Sequence, residues 1–359
     1  MTHEPLAVAL VGCGRMGAFT SEGTRASVPP CWLPLSHAEA VEAVEGLSLV
    51  ALAEVDATRR NEAGERFRVP AQARFADAAE MLAAVRPDIA AIATRSDVRA
   101  AAVEAALAAG VRGIHAEKPF APTLGDTERL LSRMEREGVA FTYGTVRRFM
   151  PAYRRARELL ADGAIGTLQE VAVDFGAGQL LLWTLPHAVD LLLYCGGSSP
   201  ESVCGRVDIP DGAVSGETID ADPAVRFARV RFADGAQGAI TAAGGMDVRL
   251  SGTAGTIRVL SDGAALELAR PTAPGGAYLD RVERIPVAQA PSGTQAAFAG
   301  LRDAIRGTGP MPMPHADVVL GQRILGAIVV SSLDGGRETP LAAVPSGLTI
   351  TGRYRGNIA

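Results

Sequence analysis

Apolar residues in the first third of the chain fall into short continuous runs, and helical patterns separate them. Leu6-Ala7-Val8-Ala9-Leu10 reads as a strand buried on both faces. Leu47–Ala53, Asp88–Ala93 and Val111–Ala116 repeat that pattern. Between them, helices are predicted over Thr58–Arg66, over a stretch ending at Met81–Val85 before Pro87, and over the alanine-rich Val98–Ala109, which Gly110 stops. Strands alternating with helices at this rhythm predict an α/β domain, a doubly wound parallel sheet covered on both faces. Past residue 150 the rhythm changes. Ala152–Ala161 reads as a basic helix stopped near Gly163. Strand-length runs follow at Leu168–Phe175, Val225–Phe232, Gly238–Ala243, Val248–Ser251, Thr256–Leu260 and Ala265–Leu268, split by Gly and Asp turns. They fit a meander better than further crossovers. Thr294–Arg306 and Ala316–Ser332 read as closing helices.

A length of 359 residues exceeds the usual single core, so two domains are expected, divided here at 1–145 and 146–359. Apolar residues make up 48% and charged residues 21%, the composition of a globular chain. A formal charge of −5 argues against a nucleic-acid-binding surface, which calls for basic clustering. No run of about 20 apolar residues predicts a membrane span. Met1–Pro5 leads at once into the first strand, leaving no room for a signal peptide, and a cytoplasmic protein is expected. The four cysteines (Cys13, Cys31, Cys195, Cys204) have no C-x-x-C spacing, so neither a metal site nor a disulfide framework is expected.

The chemistry gathers around Val11-Gly12-Cys13-Gly14-Arg15-Met16-Gly17, directly after the first strand. Gly12, Gly14 and Gly17 have the G-x-G-x-x-G spacing: a tight turn, close backbone approach to a pyrophosphate, and close helix–strand contact. The N-terminus of the following helix then offers free N–H groups to that pyrophosphate. An acidic residue is expected about 20 residues later, yet Glu54 lies 37 residues past Gly17. The excess sits in Phe19–Ser36, rich in Gly and Pro. It reads as an insertion in the first crossover that is either a lid over the site, a reach toward a neighbouring subunit, or plain packing. Glu54 would accept hydrogen bonds from the adenosine ribose and repel a 2′-phosphate, favouring NAD over NADP, although Arg59 and Arg60 nearby keep NADP open. Thr94 and the Glu117-Lys118-Pro119 segment close two further strands at their carboxyl ends, where ligands of such sheets bind.

These motifs, with Tyr143-Gly144-Thr145-Val146-Arg147-Arg148-Phe149, Gly166-Thr167-Leu168 and His187-Ala188-Val189-Asp190-Leu191-Leu192 in the same order, resemble the glucose–fructose oxidoreductase / inositol dehydrogenase / rhizopine-catabolism (Gfo/Idh/MocA) family. The resemblance implies a Rossmann domain followed by an α+β domain with a large, mostly antiparallel sheet, which commonly packs on another subunit as a homodimer or homotetramer. It implies an NAD(P)-dependent oxidoreductase acting on a secondary alcohol or ketone of a sugar, cyclitol or related polyol. Gly12, Gly14, Arg15, Met16, Gly17, Glu54, Thr94, Glu117 and Lys118 would hold the cofactor. Lys118 would hydrogen-bond the reacting oxygen, and His187, in the first turn of a helix started by Thr184 and Pro186, would be the general acid/base. Asp190 reads mainly as an orienting carboxylate. Arg147 is a candidate grip for an acidic or polyhydroxylated substrate.

One position departs from the family pattern. Family members often carry a carboxylate four residues before the histidine, and here that residue is Trp183. Indole donates one hydrogen bond and takes no proton at neutral pH. His187 then works with Lys118 alone, or Trp183 walls a sugar-like ring, or hydride transfer has been lost and the chain is a dinucleotide sensor. A glycosidase using bound NAD transiently is a further alternative.

Overall fold

The computed structural model describes residues 4–273 and 275–352. The first sheet has six parallel strands: β1 (Leu6–Val11), β2 (Leu47–Ala53), β3 (Arg74–Phe75), β4 (Ile89–Ile92), β5 (Gly113–Ala116) and β6 (Ala140–Tyr143). Their order is β3-β2-β1-β4-β5-β6, a doubly wound sheet whose direction reverses at β1. Alternation along β1 divides the cores. Val8 and Leu10 face one layer, and Ala9 and Val11 face the other.

The helices are α1 (Glu22–Ser27), α2 (His37–Glu42), α3 (Ala57–Arg66), α4 (Ala78–Val85), α5 (Ser96–Ala108), α6 (Leu124–Arg136), α7 (Pro151–Ala161), α8 (Leu185–Gly196), α9 (Gly293–Ile305) and α10 (His315–Leu333). The last two return to the first sheet. Phe298 and Leu301 of α9 join the Val8/Leu10 core, and Val318 of α10 joins the opposite one. The α10 helix has the length and hydropathy of a membrane span, but 44% of that window is buried inside the fold, against α6, α8 and the second sheet. Its apolar length is that of a core helix.

The remaining strands are β7 (Leu168–Asp174), β8 (Pro200–Asp208), β9 (Val214–Ser215), β10 (Thr218–Ile219), β11 (Ala224–Phe232), β12 (Gln237–Thr241), β13 (Asp247–Gly252), β14 (Gly255–Leu260), β15 (Ala265–Arg270), β16 (Arg281–Ile285), β17 (Thr339–Pro340) and β18 (Thr349–Ile350). Nine of them form one sheet, β16-β15-β14-β13-β7-β12-β11-β8-β17. It is mostly antiparallel. The exception is β7, which sits in the middle and runs parallel to β12, so two meanders flank a central strand where the sequence pattern predicts one. On the outer face of β11, Arg226 pairs with Asp208 and Arg231 with Glu201, both at 2.6 Å. That face is largely polar, with Phe227 and Val282 as exposed apolar residues.

Candidate functional site

Gly12 follows β1 with φ +90°, and a Cβ there would meet the backbone of Ala93 at 3.1 Å. A Cβ on Gly17 would lie 1.9 Å from the Gly12 carbonyl oxygen, so no side chain fits that contact. Gly14 faces open space: nothing lies within 4 Å of where its Cβ would be. Two glycines thus close the turn and the third leaves a cradle, as a pyrophosphate requires.

The helix after this turn is interrupted. Ala18 N–H donates to the Gly14 carbonyl and closes one turn, then residues 19–36 leave the axis. The ladder resumes across the gap, with His37 N–H donating to Met16 O at 2.8 Å and Ala38 N–H to Gly17 O at 2.9 Å. α2 therefore completes the helix that the glycine turn starts. This accounts for the late position of Glu54: the insertion adds chain without moving the elements it joins. The inserted segment packs on its own chain. Trp32 Nε1 donates to the Asp262 carbonyl, Ser292 Oγ donates to Pro34 O, and Cys31 and Trp32 are buried in the core of the second sheet.

Glu54, at the end of β2, is buried beneath the turn. Its carboxylate accepts from Cys13 N at 2.8 Å and from Asp56 N at 3.1 Å, while Arg59 approaches to 3.8 Å. Each oxygen keeps a second lone pair for a ribose hydroxyl. Beyond β4, the Thr94 hydroxyl is enclosed with no hydrogen-bond partner among the described residues. An orphaned buried hydroxyl, an open glycine cradle and a carboxylate at the next strand end form a donor and acceptor set that fits a dinucleotide.

Glu117 and Lys118 leave β5 in opposite directions. Glu117 accepts from His37 at 3.3 Å, and the His37 ring stands edge-on to His115, whose Nδ1 meets Thr142 Oγ1 at 2.8 Å. Burial would raise the Glu117 pKa, but the His37 hydrogen bond and the neighbouring cations outweigh it and hold the carboxyl well below its usual range. His37, His115 and Glu117 bring ligand-type atoms within 4.8 Å of one another. That cluster is closed over by Phe298.

Lys118 points the other way. Its Nζ donates to the Trp183 carbonyl at 2.6 Å and lies 4.3 Å from the Trp183 ring centre, and Arg15 covers the same ring at 5.0 Å. Burial lowers the Lys118 pKa to about 8, with Glu117 and Asp222 opposing the fall and Arg99 and Arg15 adding to it. Arg99 itself ties the Pro119 carbonyl to the Thr94 carbonyl. Lys118 is also the only lysine in the chain; every other Lys/Arg position is arginine. That count was available in the sequence and is the strongest signal that motif reading passes over.

His187 is the third residue of α8, and its N–H donates to Thr184 O. Thr184 precedes the helix as expected but makes no side-chain cap. The Nδ1 of His187 is enclosed without a partner among the described residues. Burial first, then the Arg147 and Lys118 charges, push its pKa well below the ordinary value, so the ring is neutral. The fold thus brings Lys118, His187, Arg15 and Trp183 together.

It takes Arg147 and Asp190 elsewhere. Arg147 Nε and Nη2 grip Asp262 at 2.7 and 2.8 Å, under the Trp32 ring, leaving only Nη1 without a partner. Both oxygens of Asp190 are held by Arg148, which also reaches Asp317 at 2.8 Å. These are interior pairs with their charges already matched. Asp190 does line an apolar cleft, together with Pro119, Tyr143, Pro186 and Leu325. Neither Lys118 nor His187 lines it. It lies between α8 and α10.

Residues 6–145 match the model of an oxidoreductase family with an NAD-binding Rossmann fold. Among relatives, D-apiose dehydrogenase of Paraburkholderia graminis is 35% identical over 159 residues, covering 44% of this chain and 37% of that protein. Trans-1,2-dihydrobenzene-1,2-diol dehydrogenase of Mus musculus is 28% identical, covering 44% and 52%. The chain therefore spans about half or less of the length of these relatives. Myo-inositol 2-dehydrogenase of Thermotoga maritima is 23% identical over 65% of this chain and 67% of its own. Among solved structures, levoglucosan dehydrogenase in complex with NADH and L-sorbose superposes with a TM-score of 0.74 at 20% identity, over 96% of this chain and 100% of that one. Aldose-aldose oxidoreductase of Caulobacter crescentus gives 0.74 at 19%, over 94% and 100%. The N-terminal domain is therefore similar to the NAD-binding Rossmann domain of the Gfo/Idh/MocA oxidoreductases, and the solved structures share the fold of the whole chain.

Proposed function

We propose that this protein is an NAD(H)-dependent oxidoreductase that interconverts a secondary alcohol and a ketone on a sugar, cyclitol or related polyol. One observation carries the reading: the only lysine of an arginine-rich chain sits at the carboxyl edge of a dinucleotide-binding sheet, beside a neutral, half-buried histidine. Arginine matches the charge of lysine and cannot release a proton, whereas a buried lysine tunes its pKa toward neutrality. A site that needs only charge would not distinguish them.

In the oxidative direction His187 takes the hydroxyl proton, which its neutral ring can do. The Lys118 ammonium donates a hydrogen bond to the same oxygen and stabilises the alkoxide as it forms. The bound nicotinamide supplies the hydride acceptor. Trp183 forms an aromatic wall beside Lys118, suited to the apolar face of a sugar ring. Glu54 supports NAD over NADP, since a second negative charge would meet its carboxylate. The relatives' names, apiose and inositol dehydrogenases among them, support the substrate class. Assembly through the nine-stranded sheet into a homodimer or homotetramer, in a cytoplasmic setting, completes the reading. The division at residues 145/146 stays part of it, with α9 and α10 returning to the first domain.

A second reading has its own support. The Trp183 ring already fills the gap between Arg15 and Lys118, as it would in a dinucleotide sensor without turnover. The test is to titrate purified protein with NAD(H) and NADP(H), then follow nicotinamide absorbance against a panel of polyols and their ketones. Tighter NAD than NADP binding with turnover on any panel member is expected. Binding without turnover across the panel favours the sensor, and no binding of either cofactor overturns both readings.

A further inference from the structure

Trp183 leaves the site without a carboxylate next to His187 in sequence, but not without one in space. The segment between β10 and β11 runs beside the turn that precedes α8. Leu180 bridges Ala224, Leu181 N–H donates to Pro223 O at 3.0 Å, and Val225 N–H donates to Gln179 O at 2.8 Å. In the middle of this zipper Asp222 Oδ1 accepts from Leu182 N–H at 2.7 Å. The next residue is Trp183, whose carbonyl receives the Lys118 ammonium. Two consecutive residues, Leu182 and Trp183, thus link Asp222 to Lys118.

We propose that Asp222 is the positioning carboxylate of this site, fastening the 180–183 turn so that the Trp183 carbonyl holds Lys118, and supplying the negative charge that Trp183 cannot. The proposal rests on the dehydrogenase reading for its catalytic consequence but not for its geometry. The groups that face Lys118 come from five elements: Glu117 at the end of β5, Arg99 on α5, Arg15 in the glycine turn, His187 on α8 and Asp222. Arg99 and Arg15 disfavour the ammonium and are opposed by the two carboxylates. Glu117 is committed to His37. Asp222 is the other carboxylate that favours the ammonium, and neutralising it destabilises the ammonium further.

The lone lysine makes a direct measurement available. Protein grown with 13Cε-lysine carries a single labelled side chain, and its chemical shift against pH reports Lys118 without turnover or ligand. The wild type is expected to titrate near pH 8. Asp222→Asn keeps an oxygen for Leu182 N–H and removes the charge, so the midpoint should move down by about half a pH unit or more. Asp222→Ala removes both, and kcat should fall about tenfold or more with a smaller change in KM, as for an interaction made in the transition state. Asp222→Glu should recover part of that loss. An unmoved midpoint in Asp222→Asn overturns the proposal even if the protein turns over no substrate. A moved midpoint in a protein without turnover upholds the geometry and counts against the dehydrogenase reading instead. Should Asp222→Ala not fold, the asparagine variant decides.

Discussion

The peptide between Glu117 and Lys118 separates two regions built from the same side-chain types. On one side, His37, His115 and Glu117 form a closed cluster: the acid is paired, Thr142 holds one ring and Phe298 seals the group. Each side leaves ring nitrogens without a partner among the described residues: His37 Nδ1 and His115 Nε2 in the cluster, His187 Nδ1 on the other side. What differs is the surroundings. The cluster pairs its acid and packs on Phe298, whereas His187 lies in the field of Lys118 and Arg147, and the Lys118 ammonium is held by a carbonyl and the face of an indole. An unpartnered nitrogen alone does not tell a structural histidine from a chemical one; its neighbours do.

Opposite phenotypes on the two sides would sharpen this contrast most. Lys118→Met and His187→Ala should each lower turnover by about a hundredfold or more, the low end for acid–base catalysis, with unchanged urea midpoints. His37→Ala should do the reverse. It leaves Glu117 as a buried carboxylate without its partner, at about 3 kcal/mol, read as a shifted denaturation midpoint. Any activity loss in that variant should disappear where the protein remains folded. If His37→Ala lowers kcat as far as His187→Ala does in fully folded protein, the two sides are one site.

A smaller effect is expected in the pH dependence of stability. His115 and His187 both have pKa values pushed well below the ordinary value, by burial first. They stay neutral in the native state, while their unfolded counterparts bind protons near pH 6.5. Below that pH the unfolded state holds more protons, so stability should fall as pH drops, by about 1.4 kcal/mol per unit for each such group. Glu117 does not blur this window. Its native pKa is depressed, so its contribution persists above the unfolded carboxylate value and is lost only at lower pH. Chemical denaturation at pH 7 and 5.5 should show the fall, and His187→Ala should remove one share of it. A slope untouched by that substitution would mean His187 already titrates normally in the folded chain.

Much of this was legible in the sequence, and what was not has identifiable causes. β1, β4, β5 and the carboxyl half of β2 are buried on both faces, so their apolar runs are continuous and their ends predictable. Glu117-Lys118-Pro119 then falls at the sheet's ligand edge by construction. β8 escapes notice because alternation on a half-exposed sheet resembles loop sequence, and β16 because it is exposed along nearly its whole length. The broken helix was hidden because hydrogen bonds from His37 to Met16 and Ala38 to Gly17 span an insertion that sequence reading can only count. Arg147 and Asp190 look like ligand residues until the fold supplies Asp262 and Arg148, each distant in sequence. Asp222 is missed for the same reason. Its value comes from a zipper with residues 179–182, and no local motif announces it.

The two tryptophans carry the comparison to its finest scale. Trp32 is buried under Arg147, and its Nε1–H is fixed on the Asp262 carbonyl. Trp183 is 41% exposed and stands between Arg15 and Lys118. Cation–π contacts at exposed sites are worth about 0.5–1 kcal/mol each, so the Trp183 ring is held in place but not locked. On the proposed reading, a dinucleotide entering the cradle at Gly14 would draw Arg15 toward its phosphates and bring the nicotinamide to Lys118, and both changes would remove or replace the ring's neighbours. Tryptophan fluorescence should therefore change on adding NAD, with all of the change belonging to Trp183. Trp183→Phe should abolish the signal while weakening NAD binding by only a few-fold, since one cation–π contact is exchanged for a weaker one. Trp32→Phe should leave the signal intact and cost stability instead. A cofactor response that survives in Trp183→Phe would place the moving aromatic at Trp32, and would make the insertion part of the working site and not only its packing.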